Sequence, residues 1–159
     1  RCISYLTIEL KGAIPEEFRP LIGNMIYGCD ICQQVCPWTR FAGDGDSPLW
    51  GSPPEEVTAP KLLELLELDQ EGFDHRFTGS PIKRIKRHRL LRNVAVALGN
   101  SGDISVIPAL KKVLSELPAS TEPENSTSEN PQSQGISEED QLIREHVIWA
   151  IAQLEREAH

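Results

Sequence analysis

Three cysteines within eight residues, Cys29-Asp-Ile-Cys32-Gln-Gln-Val-Cys36 with Pro37 directly after, constrain this chain more than any other feature. Two cysteines separated by two residues can aim both sulfurs at the same metal centre across a single turn. A third cysteine after three more residues, then proline, matches the close of the bacterial ferredoxin pattern. In that pattern the cysteine before proline ligates the other cluster of a two-cluster pair. Cys2, 27 residues before Cys29, is a candidate third ligand beside Cys29 and Cys32. Neither cluster then has its four cysteines within the chain, and the chain opens on Arg1 rather than methionine. The remaining ligands are expected in a stretch preceding Arg1.

Other uses of cysteine fit less well. Structural zinc sites draw on two CxxC pairs, and a trailing Cys-Pro has no task there. Cys29 and Cys32 are too close for an easy bridge outside a redox helix, and no βαβ pattern surrounds them. The histidines His75, His88, His146 and His159 do not pair at ligand spacing and are expected on the surface or in packing.

Residues 1–40 hold all four cysteines and form the first unit. Within it Ile3 to Leu10 is compatible with strand or helix, and Glu16 to Tyr27 reads as one short helix between Pro15 and Gly28. Residues 41–60 are rich in Gly, Pro, Asp and Ser, an irregular connection, with Trp38 and Trp50 expected as core anchors. From residue 61 the apolar period is helical. Leu62 to Leu68 forms a leucine-studded helix, and Ser80-Pro81 caps and opens the next. Stripes follow at Leu91, Val94, Ala95 and Leu98, then Ile104, Ile107, Leu110, Val113, Leu114 and Leu117 after an Asp103 cap. The last stripe is Ile143, Val147, Ala150, Ile151 and Leu154. The helix-GNSGD-helix unit resembles a HEAT-like repeat, and Ile143 onward looks like the start of a second copy. The expected fold is mainly α: a partial ferredoxin-like cluster region, then a HEAT-like helical domain over 61–159. Residues 118–137, polar with little to bury, are expected to be a disordered insertion.

The net charge of −8 is unevenly spread. Nine acids face one base between Asp44 and Asp74, and seven acids stand alone from Glu116 to Asp140. Between them Lys83, Arg84, Lys86, Arg87, Arg89 and Arg92 form a run without an acid, which suits a phosphate-rich partner. No stretch approaches the ~20 apolar residues of a membrane span. No membrane association and a cytoplasmic location are expected.

The segments Arg1-Cys-Ile-Ser-Tyr-Leu-Thr-Ile-Glu9, Ile26-Tyr-Gly-Cys-Asp-Ile-Cys-Gln-Gln-Val-Cys-Pro-Trp38, Gly79-Ser-Pro-Ile-Lys-Arg84, Leu90-Leu-Arg-Asn93 and Ala97-Leu-Gly-Asn100 together resemble the C-terminal part of the epoxyqueuosine reductase family. That resemblance covers nearly all of the chain outside the Pro118–Ser137 loop. It implies two [4Fe–4S] clusters and cobalamin, which reduce epoxyqueuosine to queuosine at the tRNA wobble position. Carried over residue by residue, it implies Cys2, Cys29 and Cys32 on one cluster and Cys36 on the other. It places Ser4 and the backbone of Gly28, Cys29 and Asp30 near the corrin. The proton donor is expected upstream, so no catalytic acid falls in this chain. The implied partners are a tRNA anticodon stem-loop and an electron donor such as a ferredoxin or flavodoxin, with the protein a monomer. For the tRNA the candidate contacts are Lys11, Lys83, Arg84, Lys86, Arg87 and Arg89. The competing readings are an iron–sulfur electron-transfer protein, or a related cobalamin-dependent reductase without a tRNA substrate.

Overall fold

The computed structural model describes residues 2–41, 59–118 and 137–158. Trp50 and positions 119–136 of the expected insertion lie outside the described residues. Among those described there is no strand. The described residues hold seven α-helices: α1 (Arg19–Ile22), α2 (Ile31–Gln34), α3 (Leu62–Leu66), α4 (Gln70–Arg76), α5 (Lys86–Gly99), α6 (Ile107–Glu116) and α7 (Glu138–Glu157).

The centre is the crossing of α5 and α7. Leu90 to Gly99 is a run of ten buried residues, so α5 is covered on all sides rather than along one stripe. The last stripe of the sequence, Ile143, Val147, Ala150, Ile151 and Leu154, lies buried on α7 as its spacing demands. Gly99 sets how near the two helices come. A methyl group there would sit 2.8 Å from a ring carbon of Trp149 and 2.9 Å from the Ala150 Cα. Helix α6 packs against α7 through Leu110, with Pro108 in its first turn. The two polar caps act one step earlier than the sequence implies, on 3-10 turns that lead into the α-helices. Asp103 Oδ1 accepts from the Ser105 amide at 2.9 Å at the turn Ile104–Val106, and Ser80 Oγ from the Ile82 amide at 3.3 Å at the turn Pro81–Ile85.

Several expectations need correction. The single helix over Glu16 to Tyr27 is a 3-10 turn (Glu16–Phe18) and the four-residue α1. Gly23, at φ 62 and ψ −132, turns the chain out of helix well before Gly28. The leucine helix stops at Leu66, and α4 is a separate helix that Asp69 caps, its Oδ1 accepting from the Gly72 amide at 2.7 Å. The α4 pattern was too short to show a period. Trp38 is not a core anchor: it is 76% exposed, its ring tilted against that of Phe41. Ile104 lies outside the core, in the 3-10 turn before α6.

Candidate metal centre

None of the four cysteines is in a disulfide; Cys2 and Cys32 are exposed, Cys29 and Cys36 partly so. They stand on two local frames. Cys2 opens a short helical turn whose wide, π-type part spans Tyr5–Glu9; the Leu6 amide donates to the Cys2 carbonyl at 3.0 Å and the Leu10 amide to Tyr5 at 2.9 Å. Cys29 follows Gly28, whose φ of 77 suits a residue without Cβ, and Cys32 sits on α2. Cys36 is held at the end of that turn. Its amide donates to the Gln33 carbonyl at 3.1 Å, and the Thr39 hydroxyl donates to the same carbonyl at 2.7 Å. Among the described residues no three His, Cys, Asp or Glu side chains converge as ligands of one ion. Thiols spread over two frames and open to the outside fit clusters completed by further cysteines, which bind through several irons, better than a closed single-ion site.

The frames are joined by polar side chains of α5. The C-terminal carbonyls of a short helix have no partner inside it. Here Arg92 donates to the carbonyls of Leu6, Leu10 and Gly12 at 2.6–2.8 Å, and Arg89 to that of Ile8 at 3.1 Å. Asn93 Nδ2 donates to the carbonyls of Thr7 at 2.8 Å and Ile26 at 2.9 Å. Its Oδ1 accepts from Arg92. Arg92 and Asn93 are fully buried, and burial, with Arg89 nearby, pulls the Arg92 guanidinium down to about 10. It therefore stays charged at neutral pH, its charge met by carbonyl dipoles rather than by an acid.

A second bracket holds residues 14–23. The Ile14 amide donates to His146 Nε2 at 3.1 Å, so Nδ1 carries the proton and donates to the Leu142 carbonyl at 2.8 Å. Burial foremost, then the positive charges of Arg19 and Arg92, push the His146 pKa down to about 4 against the opposing pull of the Leu142 carbonyl and Glu145. Buried Arg19 pairs with Glu145, donates to the Ile14 carbonyl at 2.8 Å and lies 5.6 Å over the Trp149 ring. Asn100 Nδ2 donates to the carbonyls of Arg19 and Gly23. None of Arg19, Asn93, Asn100 or His146 stood out as a site residue in the sequence. The one available signal was that Asn93 and His146 are polar residues beside the apolar stripes of α5 and α7, and that Asn100 directly follows the stripe of α5.

The basic run meets acids brought from elsewhere in the chain. Lys83 pairs with Asp74 at 2.9 Å, Arg84 with Glu9 and Lys86 with Glu139 at 3.9 Å. Arg87 donates to the Leu68 carbonyl at 2.7 Å. Lys11 is exposed and shares an open cleft with Lys86, His88 and Arg89, across from Glu138 and Glu139. Ser4, half-buried, donates from its hydroxyl to the Cys29 carbonyl at 3.3 Å, while Asp30 is exposed.

Comparison with known proteins agrees with this geometry. Residues 1–39, which hold all four cysteines, match a 4Fe-4S double cluster binding domain. Over nearly its whole length the chain is similar to epoxyqueuosine reductases. The Escherichia coli protein is 46% identical across 96% of this chain and 34% of its own length. That of Pseudomonas aeruginosa is 45% identical across 95% and 36%. Among solved structures, an epoxyqueuosine reductase with a tRNA-Tyr epoxyqueuosine-modified stem loop superposes with a TM-score of 0.72 at 30% identity, covering 97% of this chain and 35% of that one. The enzyme from Streptococcus thermophilus gives 0.72 at 30% identity, with 98% and 35% covered. The chain spans about a third of the length of the curated relatives it matches.

Proposed function

We propose that this chain is the segment of a tRNA epoxyqueuosine reductase that carries part of two [4Fe–4S] clusters and presents them from a helical, HEAT-like platform. The observation that carries the reading is the Cys29–Cys32–Cys36-Pro37 run inside a match that spans 96% of the chain. Cys2, Cys29 and Cys32 would ligate one cluster and Cys36 the other, as thiolates, with further cysteines from outside the segment. Cobalamin would lie against the backbone of Gly28, Cys29 and Asp30, where Ser4 steadies the Cys29 carbonyl. When bound, it supplies the reducing cobalt that removes the epoxide oxygen. The work of this chain is to fix the cysteines, keep the turn rigid and hold the tRNA.

For the tRNA, Lys11, Lys83, Arg84, Lys86, Arg87 and Arg89 are the proposed contacts. The Lys83, Arg84 and Lys86 ion pairs are exposed, and exposed pairs contribute only about 0–1 kcal/mol each, so phosphates can displace the acids. Arg87 and Arg89 already hold carbonyls and would add charge without moving. An electron donor such as a ferredoxin or flavodoxin would feed the clusters, and the enzyme would act as a cytoplasmic monomer. Among the described residues no helix is long and apolar enough to cross a membrane. The test is turnover of an epoxyqueuosine-modified stem loop by the full-length protein and by its Cys36→Ser variant, with cobalamin and an artificial reductant. Conversion to queuosine that the substitution abolishes supports the reading. Intact clusters without conversion would point instead to an electron carrier.

A further inference from the structure

Cys2 and Cys29 are far apart in sequence and sit on separate pieces of backbone, so something must hold their spacing. Thr7, fully buried, connects them. Its hydroxyl donates to the Ile3 carbonyl at 2.8 Å and accepts from the Gly28 amide at 3.0 Å. Its carbonyl accepts from Asn93, whose other Nδ2 hydrogen goes to Ile26 at 2.9 Å. These bonds end within three residues of a cysteine, at Ile26 and Gly28 on one side and at Ile3 on the other. An asparagine is required: both amide hydrogens go to carbonyls and its oxygen takes two bonds from Arg92. Aspartate has the same shape and no donor for either carbonyl.

We infer that Thr7 and Asn93 are positioning residues that set the distance between Cys2 and the Cys29–Cys32 turn, and thereby tune one cluster while leaving the other alone. This rests on the ligand assignment proposed above. Two features make the effect selective. The Thr7 hydroxyl holds the Gly28 amide, and so the peptide leading into Cys29. Cys36, by contrast, is fixed by Gln33 and Thr39, and no hydrogen bond among the described residues ties it to Thr7 or Asn93. Potentials of such clusters respond to hydrogen bonds and exposure around the sulfurs. A shifted thiolate therefore reads out as a shifted potential.

The experiment uses the full-length protein, purified without oxygen, as wild type, Thr7→Val, Thr7→Ser and Asn93→Asp. Iron is quantified, and the two clusters are titrated separately by their electron paramagnetic resonance signals. Thr7→Val should change the reduced-to-oxidised ratio of one cluster about tenfold at fixed potential, which is about 59 mV for a one-electron couple. The other cluster should hold its potential, and Thr7→Ser, which keeps the hydroxyl, should restore both. Asn93→Asp should shift the same cluster as Thr7→Val. If a substitution prevents folding, Ser4→Ala is the milder probe, since it removes only the donor to the Cys29 carbonyl. Equal shifts or equal loss of both clusters would overturn the inference, as would no shift in either. A wild-type protein without iron would instead defeat the ligand assignment itself.

Discussion

Acid should loosen this protein through the buried ring of His146. His146 is buried, takes a proton-bearing amide at Nε2 and is pushed from 6.5 down to about 4. In the unfolded chain the same ring protonates at its ordinary pKa. Below 6.5 the unfolded state therefore binds a proton that the native state refuses until about 4, and stability falls as pH drops through that window. At about 1.4 kcal/mol per pKa unit, the full loss approaches about 3.5 kcal/mol below pH 4, and about 2 kcal/mol of it occurs between pH 7 and pH 5. The comparison is denaturant unfolding at pH 7, 6 and 5 for the wild type and His146→Gln. Glutamine offers an acceptor for the Ile14 amide and does not titrate. The stability gap between the two proteins should shrink by about 2 kcal/mol from pH 7 to pH 5. Parallel profiles would show that the His146–Ile14 bond is not proton-sensitive and that the burial of this ring does not govern its protonation.

Other substitutions test the clamp and the crossing. Arg92→Met should cost about 3 kcal/mol or more, since it leaves three carbonyls without their donor, measured as a lowered denaturation midpoint. Gly99→Ala should cost about 1–3 kcal/mol because its methyl meets Trp149 and Ala150 below 3 Å, and the melting temperature should fall accordingly. Asp69→Ala should remove about 1 kcal/mol by uncapping α4, read from the same unfolding curves. Replacing Lys83, Arg84 and Lys86 together by alanine in the full-length protein should weaken stem-loop binding and flatten its salt dependence. Unchanged salt dependence would remove these residues from the tRNA contact.

The helical core was legible because α5 and α7 are long enough for their period to show. Val94, Leu98, Val147 and Leu154 are buried where the stripes put them. Short elements were not legible: Gly23 breaks a helix that the Pro15–Gly28 bracket predicts, and α4 has too few apolar positions to announce itself. The cysteine run was plain, since its chemistry lies in spacing alone. Its support was hidden, because Arg92, Asn93 and His146 act on carbonyls and an amide some 70 to 130 positions away, and a single sequence carries no sign of such pairing. The surroundings of the basic run were hidden for the same reason. It has no acid within it in sequence, yet Asp74, Glu9 and Glu139 arrive from other elements.

The central claim is that the thiolates of Cys2, Cys29, Cys32 and Cys36 hold iron. Iron and acid-labile sulfide should be measured in the full-length polypeptide purified without oxygen, beside Cys32→Ser and Cys36→Ser. The expected result is iron and sulfide sufficient for a double four-iron site in the wild type, with each substitution depleting a different cluster. A colourless wild type carrying zinc, or no metal at all, would contradict it.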